Sequence, residues 1–137
     1  MNCRLPCWLR LIYSGIVGEG AWVNGEPIRV SQVNDKSDAI LLTGFPIATD
    51  FSAGALSMFV QSIRTFKKIR LLGSAALSLA YVAAGRVHGY MEKDIKIWDV
   101  AAGIALVLAA GGIIRTSFSE DEETLLLRAG CSKPIMS

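Results

Sequence analysis

RLLGSAALSLAYVAAGRVHGYMEKDIKIWDVAAGIALVLAAGG, residues 70–112, is the stretch whose reading decides the fold. It holds two segments with one grammar. Gly73-Ser74 leads an apolar run that closes at Gly85, and Trp98-Asp99 leads a second that closes at Gly111-Gly112. A small or polar residue at the start and glycine at the end mark the two termini of a helix. Each run is about 15 residues long and rich in Ala and Gly. That suits helices packed closely inside a layered α/β protein and falls short of the roughly 20 residues that cross a bilayer. Charges bound both runs, Arg70 and Arg86 for the first, Asp99 and Arg115 for the second. A helix N-terminus offers free N–H groups and partial positive charge to an anion, and Asp99 offers a carboxylate to a cation.

Upstream, residues 11–31 read as a β-hairpin or meander. Ile12, Tyr13, Ile16 and Val17 favour strand, Gly18-Glu19-Gly20 turns, Ala21-Trp22-Val23 resumes, and Asn24-Gly25 is the type I′ turn pair. Ile28, Arg29 and Val30 alternate as a half-buried strand does. Such strands are marginal alone in water and need a larger sheet. Residues 32–38 read as a polar linker and Ala39–Thr43 as a short strand. A helix starting at Asp50 or Ser52 and running to about Arg64 has Ala55, Leu56, Phe59, Val60 and Ile63 on one face. Lys67–Arg70, Arg86–Met91, Ile113–Thr116 and Thr124–Arg128 read as strands. Glu92–Ile97 reads as a loop, 117–123 as a solvated acidic segment and 131–137 as a tail. Strands alternating with helices predict an α/β layered domain with a mainly parallel or mixed sheet.

The 137 residues fit one domain of ordinary size. A hydrophobic share of 52% and mean hydropathy of +0.42 raise the question of a membrane protein, and the shortness of the apolar runs argues against it. A net charge of +2 without a basic stripe speaks against nucleic-acid binding. Residues 1–11 contain no apolar core of signal-peptide length, so the expected location is cytoplasmic. Cys3, Cys7 and Cys131 are odd in number and lack zinc spacing, which predicts free thiols.

The central stretch resembles the inositol monophosphatase family. The residues that carry the resemblance are Arg70, Gly73-Ser74-Ala75-Ala76, Glu92 and Trp98-Asp99-Val100-Ala101-Ala102-Gly103, at the family's spacing. Gly18, Gly20-Ala21 and Asn24-Gly25 are similar to its GxGAxxNG element, and Thr43-Gly44-Phe45-Pro46 to the TGFP of many bacterial members. The resemblance covers residues 12 to about 114. It implies an α/β layered sandwich in which residues 37–137 form the C-terminal mixed-sheet domain. Residues 12–36 would then be a hairpin of the N-terminal sheet with its linker, and 1–11 a divergent N-terminus. The implied activity is magnesium-dependent attack of water on a phosphate monoester, an inositol phosphate or similar small molecule, with no covalent enzyme intermediate. The family's first signature, Asp-Pro-x-Asp-Gly-Thr with a preceding glutamate, supplies most of the magnesium ligands and has no match here. The nearest pattern, Asp35-Lys36-Ser37-Asp38, lacks the glycine and follows the hairpin. The chain therefore reads as a truncated second half of such a phosphatase, with little or no activity expected alone. The alternative is a non-catalytic paralogue that pairs with a full-length homologue, or with itself as a homodimer, through exposed sheet edges and apolar faces.

By this resemblance Asp99 binds Mg2+ and contributes to substrate binding; read from the residues alone, it is a helix N-cap. Gly73, Ser74 and Ala75 are implied to contact substrate through backbone N–H groups and the Ser74 hydroxyl, against a plain cap and close helix packing. Glu92 is implied to accept a hydrogen bond from a substrate hydroxyl, against a solvated loop acid. Arg70 supports the site or an interface, or makes an exposed ion pair. His88, the single histidine, stands where the family usually has aspartate and is expected to be structural rather than a general base. Trp98 is expected in the core. Ala110 stands where many members carry glutamate.

Overall fold

Asn24 and Gly25 turn the chain with φ of 50° and 84°, the left-handed pair that a two-residue hairpin requires. The turn joins β2 (Gly20–Val23) to β3 (Glu26–Ile28), and β1 (Tyr13–Ile16) pairs antiparallel with the other edge of β2. The computed structural model describes residues 10–45, 49–119 and 123–137. The expectations for Cys3, Cys7, Pro46 and acidic residues 120–122 lie outside the described residues.

The remaining strands form a five-stranded mixed sheet. These are β4 (Ile40–Thr43), β5 (Lys68–Leu71), β6 (Gly89–Lys96), β7 (Ile113–Phe118) and β8 (Thr124–Gly130), in the order β5-β4-β6-β8-β7. β4 runs parallel to β5 and β6, and β8 runs antiparallel to β6 and β7. The crossovers are α1 (Ala53–Ile63) from β4 to β5 and α2 (Ala75–Ala83) from β5 to β6. α3 (Ile97–Ala109) then connects β6 to β7. α3 touches β1 and β2 as well as β6, β7 and β8, so the helix layer lies between the two sheets. Leu79, Val82, Val100 and Val107 of that layer meet Leu42, Tyr90, Leu125 and Leu127 of the large sheet and Ala21 of the small one. α2 and α3 approach closely because Gly103 has no side chain: a Cβ there would sit 2.7 Å from Leu79 Cβ.

Four expectations are corrected. Glu92–Ile97 is not a loop; β6 continues to Lys96 across a register break between Glu92 and Ile95, with Asp94 at φ 58°. A polar β-bulge of this kind has the composition of a loop. Residues 131–137 are not a tail, because α4 (Lys133–Met136) buries Ile135 and Met136 against Gly89 and Gly130. The apolar face of α1 is covered only in part: Ala55, Phe59 and Ile63 are half-buried, whereas Leu56 and Val60 are exposed. Trp98 is 65% exposed rather than in the core, with the Lys96 ammonium 5.3 Å from its ring centroid. Among the described residues no helix is long and apolar enough to cross a membrane.

Candidate functional site

Gly73 adopts φ 69°, which lets the chain swing sharply from β5 into α2. Ser74 caps the helix, its Oγ accepting from the Leu77 N–H at 3.2 Å. The N–H groups of Ala75 and Ala76 lie in the first turn, where the helix supplies no acceptor. β6 places Tyr90 and Glu92 two residues apart, on one face of the strand. The end of β4 supplies Thr43 and Gly44, and the first turn of α3 supplies Asp99. These groups meet at an open cavity of about 350 Å³ lined by Thr43, Gly44, Gly73, Ser74, Ala75, Glu92 and Asp99 among others. It lies beyond the carboxyl ends of parallel strands β4 and β5, where open α/β sheets commonly bind ligands.

The Tyr90 hydroxyl donates to Glu92 Oε2 at 2.5 Å. Burial holds the Glu92 carboxyl above its ordinary value; the Tyr90 bond pulls the other way, and the Asp99 charge adds to burial. Burial likewise pushes the Tyr90 hydroxyl well up, helped by its bond to Glu92. Glu92 fits because residue 44 is glycine: a Cβ there would stand 2.6 Å from Glu92 Cδ. Thr43 Oγ1 donates to the Met91 carbonyl at 2.7 Å and ties β4 to β6 beside the cavity. Asp99 is not the cap residue. The cap position is Lys96, which makes no side-chain cap bond, and Asp99 sits exposed in the first turn. The positive end of α3 favours its charge there.

Two of the singled-out residues lie elsewhere. Arg70 is exposed, and its Nη1 donates to the Ile69 carbonyl at 2.9 Å. His88 precedes β6, at the end of the sheet away from the cavity, where its Nδ1 accepts the Ile40 N–H at 2.8 Å. Tyr90 and Gly44 are participants that the sequence reading did not single out as site residues. The i, i+2 spacing of Tyr90 and Glu92 on one strand was the available signal for the first.

A magnesium ion takes near-octahedral oxygen donors, usually one or two carboxylates with waters and substrate phosphate. Asp99 presents an exposed carboxylate, whereas one oxygen of Glu92 is taken by Tyr90. No group of three His, Cys, Asp or Glu side chains among the described residues is placed to hold a metal ion. This donor set does not make a resident magnesium site by itself.

Comparison with known proteins gives a consistent result. Residues 5–133 match the family model described as "Inositol monophosphatase family". The chain is 41% identical over 104 residues to the Nus factor SuhB of Pasteurella multocida, covering 75% of this chain and 39% of that protein. It is 32% identical over 133 residues to the chloroplastic phosphatase IMPL1 of Arabidopsis thaliana, covering 93% of this chain and 36% of that one. The solved inositol monophosphatase of Anabaena superposes with a TM-score of 0.76 at 32% identity, over 91% of this chain and 51% of that chain. The chain thus spans between about a third and about half the length of these relatives.

Proposed function

We infer the function from one premise: this chain belongs to the inositol monophosphatase family. It carries the substrate-facing share of a phosphomonoesterase site and does not complete the reaction alone. One observation carries this reading, the convergence of the α2 N-terminus, Glu92 and Asp99 on a single cavity. The N–H groups of Ala75 and Ala76 and the Ser74 hydroxyl suit the phosphate of a monoester, since they supply donors and partial positive charge without a bulky side chain. Glu92 has one oxygen on Tyr90 and keeps the other to accept from a hydroxyl of the esterified polyol. Asp99 faces the same space but repels a phosphate dianion. Asp99 would contribute one ligand to a divalent cation, which in this family is magnesium and would supply Lewis-acid charge to the phosphate. The residues described here offer too few ligands to retain it unaided.

The test is to titrate the purified chain with inositol monophosphate, with and without Mg2+, while recording amide NMR spectra and phosphate release. Shifts at the Ala75 and Ala76 amides that grow with Mg2+, without turnover above background, are expected. Turnover at an ordinary enzyme rate, about 1–1000 per second, would overturn the half-site reading. Unmoved amides would overturn the binding reading.

A further inference from the structure

α1 stands off the large sheet, and none of its side chains is fully buried. The space it leaves is a cavity of about 400 Å³, a size that holds small organic molecules. Its apolar wall is made by Met58 and Phe59 of α1, Met91 of β6 and Leu126 of β8. Leu125, Leu127 and Ala129 belong to the core on the helix-layer side of the sheet. Alternation along β8 therefore turns Leu126 and Arg128 to the opposite face, towards α1. Arg128 stands opposite Met91 of β6 and opposite Arg115 of β7. The other charged residues on this cavity have partners. Asp50 accepts from the Ser52 N–H and hydroxyl, Glu92 accepts from Tyr90, and Lys93 and Asp94 lie 4.0 Å apart. Arg128 differs: its Nε is buried without a hydrogen-bond partner, and it enters no ion pair among the described residues. Arg115 is exposed and likewise in no ion pair among them, so the strand pair sets two like charges directly opposite, which costs stability.

A buried donor without an acceptor costs free energy that a bound acceptor recovers. A guanidinium takes a carboxylate through two parallel N–H···O bonds, and Nε can supply one of them. The demand left unmet on this cavity is thus one negative charge beside an apolar wall. We propose that the cavity between α1 and the large sheet binds a small organic acid with an apolar body. Its carboxylate pairs with Arg128, and its body lies against Met58, Phe59, Met91 and Leu126. Arg115 adds positive charge at the solvent edge. On its other side Arg128 borders a smaller cavity, where Lys36 is already bonded to the Ser137 carbonyl. Thr43, Gly44 and Glu92 line both the α1 cavity and the phosphate-facing one, whereas Arg128 lines only the former of these two. The inference rests on the orphaned guanidinium and its apolar surroundings and stands independently of the phosphate reading.

The experiment adds phenylbutyrate, phenylbutanol and inorganic phosphate in turn to the purified full chain and follows the Arg128 Nε–H and the Met58 and Met91 methyl signals by NMR. Phenylbutyrate should move all three along one saturating curve. Phenylbutanol, which keeps the apolar body and lacks the charge, should bind about tenfold or more weakly. Inorganic phosphate should not displace the acid. Arg128→Met should erase the preference for acid over alcohol and, without ligand, melt no lower than the parent, because it removes an orphaned donor. Leu126→Trp keeps Arg128 and fills the cavity, and should weaken phenylbutyrate about tenfold or more. The Ala75 and Ala76 amides report on the phosphate-facing cavity in the same spectra, so failure of that reading and failure of this one are distinguishable. No binding of the acid, equal binding of acid and alcohol, or displacement by inorganic phosphate overturns the proposal. So does an Arg128→Met protein that melts below the parent, which would make Arg128 a structural residue, or binding indifferent to Leu126→Trp.

Discussion

Tyr90 holds Glu92. The hydroxyl of a tyrosine that is 1% exposed donates to the Glu92 carboxylate at 2.5 Å, across two residues of one strand. A hydrogen bond to the charged form favours it, so this contact opposes the burial that raises the Glu92 carboxyl. Tyr90→Phe removes the donor and keeps the ring. Glu92 should then titrate at higher pH than in the parent, read from its 13Cδ shift. The loss of a bond to a charged group should cost about 1.5–3 kcal/mol near neutral pH. A Glu92 titration that stays put or moves down would show that the bond does not set the charge.

Gly44→Ala acts on the same carboxylate in the opposite sense. The new Cβ occupies the space of the Glu92 head, which is the flexible end of a side chain and can swing away. No backbone has to move, so the cost to the fold is that of the lost Tyr90 bond, about 1.5–3 kcal/mol. Glu92, driven out of its buried position, should titrate lower than in the parent and closer to an ordinary glutamate. An unchanged titration would mean that Glu92 adjusts without leaving Tyr90.

The helix pair and its glycine ends were legible because capping and C-terminal glycine act within a few residues. Ser74 caps α2 and Gly111 closes α3 at φ 85°. The Asn24-Gly25 turn was legible for the same local reason. What misled the reading depends on distant partners. Glu92–Lys96 is polar enough for a loop and remains strand only because β8 pairs with it on both sides of the bulge. Ile135 and Met136 become core because Gly89 and Gly130 leave room for them, a complementarity invisible along the chain. Trp98 at the start of α3 reads as core, whereas Val100 and Gly103 take the buried face of the helix and leave Trp98 exposed. Of the site, Glu92 and Asp99 carried chemical signals of their own; Gly44 matters only through the carboxylate beside it.

His88 provides a pH test away from the site. Burial holds its pKa below the ordinary value, and Nδ1 accepts the Ile40 N–H, so the folded chain uses the neutral ring. A depressed folded pKa means that the unfolded chain binds the proton first as pH falls. Stability is therefore full above about pH 6.5, the unfolded value, and is lost as pH drops through the lower folded value. His88→Asn keeps an acceptor for Ile40 and removes the titration. Between pH 7.5 and 5 the parent should lose more urea stability than the variant. Parallel losses in the two proteins would rule out His88 as the source.

Gly103→Ala tests the spacing of the helix layer on which the cavity depends. Alanine favours helix over glycine by about 1 kcal/mol, which by itself predicts a more stable protein. The added methyl, however, meets Leu79 Cβ at 2.7 Å, an atom fixed to the α2 backbone that no rotamer change can move aside. Overpacking of this kind costs about 1–3 kcal/mol, so the net expectation is destabilisation of roughly 1 kcal/mol and a melting temperature lower by a few degrees. Separating α2 from α3 also moves Ser74 away from Asp99, since each lies at the cavity end of its helix. Phosphate-induced shifts at Ala75 and Ala76 should therefore weaken together with stability. Leu79→Gly in the same chain removes that Cβ and opens room for the new methyl, and should restore those shifts even though the double variant is less stable than the parent. A Gly103→Ala protein more stable than the parent would mean that the helices already have room for the methyl.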